Sequence, residues 1–224
     1  VDTVSYASTT LGVAVDLAAG TAVGSEIGSD TISDVEQFIG GSGADTFTTS
    51  AGVDSISGGA GDDLFLGSTG DDSFDGGAGA NTLSYADGLD VTIDFGAGTV
   101  SGAGGFIDNF ENIENVLSGN SGSTILGSAG ADTLIGGLGD DVIDGLAGDD
   151  ILIGGNGNDT VFGGGGNDTF AETGVAGDDT YDGGVGTDTL NLSSATNSVF
   201  VNLSTGTATG ADIGNNVISN IEDV

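Results

Sequence analysis

The chain has 224 residues, with no Lys, Arg or His against 35 acidic side chains, a formal net charge of −35, and 46 Gly beside no Pro, Cys or Met. Without a cationic side chain it is a poor partner for nucleic acid or an anionic membrane surface. It has no cysteine for a disulfide scaffold, and no run is long and apolar enough for direct membrane insertion. Such a composition alone describes a disordered chain, so order has to come from the sequence pattern and from something that neutralises the charge.

Residues 1–39 form a long unit, DTVSYASTTLGVAVDLAAGTAVG followed by DTISDVEQFI. Val13, Val15 and Leu17 alternate with small or polar residues, the pattern of a half-buried strand. Ala18 to Gly20 make a turn, and Thr21 to Val23 run back or onward as a second strand. Ile32, Val35, Phe38 and Ile39 fit either a single helical turn or an irregular coil. Residues 40–84 switch to a nine-residue period: GGSGADTFT, TSAGVDSIS, GGAGDDLFL, GSTGDDSFD, GGAGANTLS. Their sixth positions hold Asp45, Asp54, Asp63, Asp72 and then Asn81, which keeps an oxygen but loses the charge.

Residues 85–117 repeat the long unit, with Val91, Ile93 and Phe95 at the strand positions and Asp94 matching Asp16. A second nonapeptide block covers 118–191. It opens on a decayed copy, SGNSGSTIL, with Ser123 at the sixth position, and continues as GSAGADTLI, GGLGDDVID, GLAGDDILI, GGNGNDTVF, GGGGNDTFA. Glu172 and Thr173 are an insertion, after which GVAGDDTYD and GGVGTDTLN follow. Sixth positions here are Asp132, Asp141, Asp150, Asp159, Asp168, Asp179 and Asp188. Residues 187–224, overlapping the last repeat, are a third long unit with Val199, Val201 and Leu203 at the strand positions. The first and third long units are offset by 186 residues throughout, which reads as a window on a longer tandem array.

Thirteen nonapeptides in phase make a repeat architecture. Small, Gly-rich residues ending in Asp form a tight turn whose carbonyls face inward. Together with one carboxylate they offer hard oxygen ligands suited to Ca²⁺. The last three residues form a very short strand with the eighth, apolar residue pointing in. One buried apolar side chain per repeat does not offset the backbone entropy of ordering a whole repeat, so the chain needs the metal to fold.

The pattern resembles the RTX (haemolysin-type) nonapeptide, GGxGxDxUx, where U is a large apolar residue. The resemblance implies an all-β fold, a right-handed parallel β-roll or β-solenoid with Ca²⁺ bound in its turns and two nonapeptides per turn. It implies several ions, each between loops n and n+2 and held by both sixth-position side chains and by loop carbonyls. The pairs are then 45/63, 54/72, 132/150, 141/159, 150/168, 159/179 and 168/188, with 63/81 and 123/141 compromised by Asn81 and Ser123, and with the insertion at Glu172 expected to disturb 159/179 and 168/188.

Position-five residues Asp62, Asp71, Asp140, Asp149 and Asp178 read as solvated. Glu36, Glu114 and Glu222 recur at one place in the long units, where they can cap a coil end, bond backbone amides or bind calcium; a structural role is favoured. Tyr6, Tyr85 and Tyr181 read as packing residues with hydroxyls in water. No Ser has a His or Lys to activate it, and the carboxylates are accounted for by metal, so the chain is not read as an enzyme. A Thr ladder at position seven, which suggests ice binding, is broken by Leu64, Val142 and Ile151. Outward aliphatics, Leu64 with Leu66 and Ile151 with Ile153 beside Ile135, suggest self-association or contact with neighbouring copies. The function this supports is a calcium-binding structural region of a secreted bacterial surface or matrix protein, such as an S-layer, fibre or adhesin stalk, extracellular or at the cell surface. The alternative from the same resemblance is a calcium-triggered folding module of a type I-secreted enzyme or toxin.

Overall fold

The structure, a computed structural model, describes residues 1–85, 89–173 and 177–224. Residues 86–88 of the second long unit and the first three residues of the repeat that begins at 174 lie outside the described residues. The chain divides into two compact units, Val1–Tyr85 with Gly98–Val116, and Ala86–Ala97 with Leu117–Val224. Every regular element among the described residues is a β-strand.

In the first unit one sheet runs Thr3–Ser5, Gln37–Ile39, Ser55–Ala60, Ser73–Ala78, Ile107–Glu111, Thr99–Gly102. The other runs Thr82–Ser84, Leu64–Leu66, Thr46–Thr48, Val13–Asp16, Thr21–Gly24, Gly28–Thr31. In the second unit one sheet runs Val91–Asp94, Thr124–Leu126, Val142–Asp144, Thr160–Gly165, Thr180–Val185, Gly214–Ser219, Thr207–Gly210, Val199–Asn202. The other runs Thr189–Asn191, Thr169–Ala171, Ile151–Gly155, Thr133–Gly137.

Nonapeptide strands pair in parallel with the strand two repeats away: Ile56 with Phe74, Phe47 with Phe65, Leu134 with Leu152, Ile143 with Val161. Consecutive repeats therefore alternate between the two sheets, and two repeats complete a turn: a parallel β-roll. The eighth residue of each repeat points between the sheets. Phe47, Ile56, Phe65, Phe74 and Leu83 in the first unit, and Ile125 to Leu190 at the same position in the second, are all at most 2% exposed. The Phe47 and Phe65 rings stack with centroids 5.5 Å apart, and Phe65 meets Phe74 edge-on at 5.6 Å. Some strands run beyond three residues, because pairing continues through the next glycines, as in Gly59 with Gly77.

The long units add antiparallel strands. Thr21–Gly24 runs back along Val13–Asp16, Thr99–Gly102 along Ile107–Glu111, and Thr207–Gly210 along Val199–Asn202. Asp16 and Asp94 hold their turns by accepting the Ala19 and Ala97 amides, each at 2.8 Å. The stretch that fitted either a helical turn or a coil ends in the strand Gln37–Ile39, with Phe38 1% exposed. The third copy differs in burial: Val199 is 38% exposed, against 3% for Val13 and Val91. Val13–Asp16 and Val91–Asp94 are flanked by nonapeptide strands, Thr46–Thr48 and Thr124–Leu126, whereas Val199–Asn202 is the last strand of its sheet.

Candidate metal centres

The sixth-position side chains turn inward behind the strands. From one turn to the next, Oδ1 of the later residue accepts the backbone amide of the earlier one. In the first unit Asp63 accepts from Asp45 at 2.7 Å, Asp72 from Asp54 at 2.9 Å, and Asn81 from Asp63 at 3.1 Å. In the second unit Asp141, Asp150, Asp159 and Asp168 accept from Ser123, Asp132, Asp141 and Asp150 at 2.7–2.9 Å. Asp179 and Asp188 accept from Asp159 and Asp168, both at 2.8 Å. The Glu172–Thr173 insertion therefore leaves the ladder in register. The geometry brings together every n/n+2 pair that the resemblance implied, including 159/179 and 168/188, which the insertion was expected to disturb.

The second carboxylate oxygen is treated differently along the ladder. Asp45, Asp54 and Asp132 use Oδ2 to accept the amides of Gly41, Ser50 and Ser128, at 2.7, 2.8 and 2.6 Å. In Asp63, Asp72, Asp141, Asp150, Asp159, Asp168 and Asp188, Oδ2 is buried with no hydrogen-bond partner. A buried carboxylate oxygen without a donor is costly. Burial, reinforced by neighbouring carboxylates, pushes Asp72 and Asp141 up to about 7 and Asp63, Asp150 and Asp159 up to about 6, even though the amide bond to each acts the other way.

Glycine keeps the space beside these oxygens open. A Cβ at Gly136 would run into both Asp141 Oδ2 and the Gly154 carbonyl oxygen, and one at Gly163 into Asp168 Oδ2 and the Gly183 carbonyl. An anionic oxygen and a carbonyl oxygen thus face one gap, a donor set suited to a hard divalent cation. No group of three or more acidic side chains converges among the described residues, so a cation here draws on backbone as well as carboxylates.

The profile described as the RTX calcium-binding nonapeptide repeat (4 copies) matches residues 39–70, 59–91, 118–152, 139–170 and 173–191, more than half of the chain. The chain belongs to the RTX calcium-binding nonapeptide repeat family. Its repeats bind Ca²⁺, and the buried, unpartnered Asp oxygens fit several ions. Among solved structures it is similar to the extracellular lipase LipA from Serratia marcescens, at 18% identity and a TM-score of 0.34, over 84% of this chain and 38% of that one. The chain thus spans well under half of that lipase. No curated protein sequence matches it.

Several residues of this RTX chain depart from the sequence-based reading. The Tyr85 and Tyr181 hydroxyls are not in water. Tyr85 is 0% exposed and donates to Asp108 Oδ2. The Tyr181 hydroxyl lies 2.6 Å from Glu172 Oε2 and 3.2 Å from Asp179 Oδ2. In an acidic interior without Lys or Arg, a phenol is one of the few side-chain donors. Burial and these carboxylates push both phenols well above their ordinary range, so they remain donors. Tyr6 is half-buried and bonds the exposed Asp30 at 3.1 Å.

The position-five residues are exposed but bonded. Asp62, Asp71, Asp140, Asp149 and Asp178 accept the amides of Ala80, Ile107, Asn158, Asn167 and Asn215 at 2.7–2.9 Å. This outer ladder reaches forward along the chain where the inner one reaches back. Glu36, Glu114 and Glu222 bond backbone amides, those of Asp2, Asn81 and Asp188, at 2.8, 2.7 and 2.8 Å.

Sequence reasoning passed over three residues. Asp108 accepts the Asp72 amide at 2.7 Å and Asn216 the Asp179 amide at 3.0 Å, so each carries the inner ladder into a long unit. Their signal was the repetition of the long units, whose offset of 186 residues aligns Asn216 with Asp30. Glu172, in the insertion, is 5% exposed and pushed up to about 7 by burial; an acidic residue in an insertion gives no sign of turning inward.

Proposed function

We propose that this chain is a calcium-folded structural repeat region of a secreted bacterial surface or matrix protein, of the S-layer, fibre or adhesin-stalk kind. The observation that carries this reading is seven buried, unpartnered Asp oxygens among the described residues of a chain with no Lys, Arg or His. Ca²⁺ supplies the positive charge that no side chain provides. Its ligands are the sixth-position residues Asp45, Asp54, Asp63, Asp72, Asn81, Asp132, Asp141, Asp150, Asp159, Asp168, Asp179 and Asp188, with the turn carbonyls beside them. The long units 1–39, 85–117 and 187–224 join the nonapeptide blocks 40–84 and 118–191. A calcium-poor cytosol keeps such a chain expanded and exportable; millimolar calcium outside folds it.

The role is structural. The inward carboxylates belong to a regular ladder, and the chain has no His or Lys to activate a Ser. Ile151 is 45% exposed, and Ile153 lies in register with Ile135 on the adjacent strand; this patch packs neighbouring copies together, since salt bridges cannot. Circular dichroism against buffered free calcium at neutral pH tests the folding: full β signal in chelator overturns it. Light scattering of the Ile151→Thr/Ile153→Thr variant at equal calcium tests the assembly, which is wrong if the variant assembles as the parent does.

A further inference from the structure

Each nonapeptide block runs into the same closing turn. In the first unit it is Asn112-Ile113-Glu114, in the second Asn220-Ile221-Glu222. Asn112 and Asn220 adopt left-handed backbone, φ 56° and 51°. Ile113 and Ile221 anchor the turns, 7% and 8% exposed. The Asn112 and Asn220 side-chain amides donate to Asp75 and Asp182, at 2.7 and 2.6 Å. Glu114 and Glu222 accept the Asn81 and Asp188 backbone amides, at 2.7 and 2.8 Å. The turns thus match in conformation, anchoring and both hydrogen bonds.

They differ in the side chain they close over. In the first unit Asn81 Nδ2 donates to the Asn112 carbonyl at 3.0 Å. In the second, Asp188 stands at the equivalent place, 0% exposed, with Oδ1 on the Asp168 amide and Oδ2 without a partner. A Cβ at Gly183 would strike both Asp188 Oδ2 and the Asn220 carbonyl oxygen, as one at Gly76 would strike Asn81 Nδ2 and the Asn112 carbonyl. Where the first closure pairs a donor with an acceptor, the second sets a carboxylate oxygen and a carbonyl oxygen on one gap.

We propose that the second closing turn is a cation site of its own, a Ca²⁺-class ion held by Asp188 Oδ2 and the Asn220 carbonyl, with Glu222 supplying the second negative charge. The first turn takes no ion, because the Asn81 amide fills that place. Asn220 and Glu222 lie beyond the last matched repeat, which ends at residue 191, so the site is built jointly by a nonapeptide and a long unit. This inference rests on the calcium reading above.

The test counts Ca²⁺ bound per full chain by native mass spectrometry at stepped free calcium, with circular dichroism at saturation to confirm the fold. Glu222→Gln keeps an oxygen for the Asp188 amide and removes the charge; one ion should then bind about tenfold more weakly, the rest as in the parent. Asn81→Asp should gain an ion, and adding Glu114→Gln should weaken that gained ion in turn. Unchanged occupancy in Glu222→Gln, or a gained ion indifferent to Glu114→Gln, overturns the closing site and leaves the calcium reading standing. A parent chain that binds no calcium overturns both.

Discussion

Leu152 couples core packing to calcium. It is 0% exposed, in register with Leu134 on one side and Phe170 on the other. Truncation to Ala removes buried methyls that a stacked roll cannot close over, costing about 3 kcal/mol. The second unit holds five n/n+2 pairs of Asp, 132/150, 141/159, 150/168, 159/179 and 168/188. If folding takes up one ion at each and one at the closing turn, linkage spreads the loss over six ions, and the free calcium at the folding midpoint rises about 2.3-fold. Ile151→Ala, on the same strand but 45% exposed, should move the midpoint by no more than about 1.2-fold. The assay is circular dichroism in calcium buffers, where the steepness of the transition should be the same for both variants and the parent. A Leu152→Ala midpoint equal to the parent's would refute the coupling, and a shift of about tenfold or more would mean that far fewer ions enter with folding.

The gap beside each inward carboxylate predicts a contrast between two glycines. Gly136→Ala places a methyl against Asp141 Oδ2 and the Gly154 carbonyl and should cost one bound ion, whereas a Cβ at Gly130 meets only Ser128 Oγ at 3.7 Å and Gly130→Ala should bind calcium as the parent does; equal losses would remove the gap from the argument. Proton linkage predicts the behaviour in chelator. With Asp72 and Asp141 pushed up to about 7 in the roll, the folded chain holds more protons than the unfolded one, so its calcium-free stability is greatest below about pH 4 and is lost as pH rises through about 7. Circular dichroism in chelator should show more β structure at about pH 5 than at about pH 8, and the opposite order would be fatal to this reading.

Much of this was legible because each nonapeptide position has a single task. The eighth residue faces inward in a three-residue strand, so one apolar letter per repeat identified the core from Phe47 to Leu190. The sixth residue faces its counterpart one turn away, so the fixed nine-residue spacing marked the Asp residues and the resemblance to the RTX nonapeptide implied how they pair. The long units were less legible. Their strands gain partners from the chain on either side, and burial depends on those partners: Val91 and Val199 have the same letter and opposite exposure. Hydroxyls were misread for a different reason. Tyr85 and Tyr181 sit in an interior where carboxylates outnumber donors, and whether a phenol faces water depends on which acceptors surround it. Asp108 and Asn216 were hidden because they lie outside the nine-residue frame while serving its ladder.

A chain with no cationic side chain has few ways to satisfy an inward carboxylate, and the structure uses them in separate places. Backbone amides satisfy Oδ1 from turn to turn along the ladder. At the opening of a block, turn amides also take Oδ2, as at Asp45 and Asp132. Where a block meets a long unit or an insertion, a side chain does so: Tyr85 on Asp108 and Tyr181 on Asp179. Asn81 removes the problem by replacing the acid with an amide. The oxygens left over lie in the block interiors and at Asp188. A side-chain donor can serve one turn, but a run of identical turns leaves no room for one beside each inward carboxylate, since a Cβ at the glycines there, as at Gly136 and Gly163, would strike the carbonyl of the next turn. An ion enters without a side chain or a change of register, so the same turn can be stacked repeatedly. On the calcium reading proposed above, the absence of cationic residues and the wealth of glycine answer one requirement, that the charge neutralising each turn come from solution.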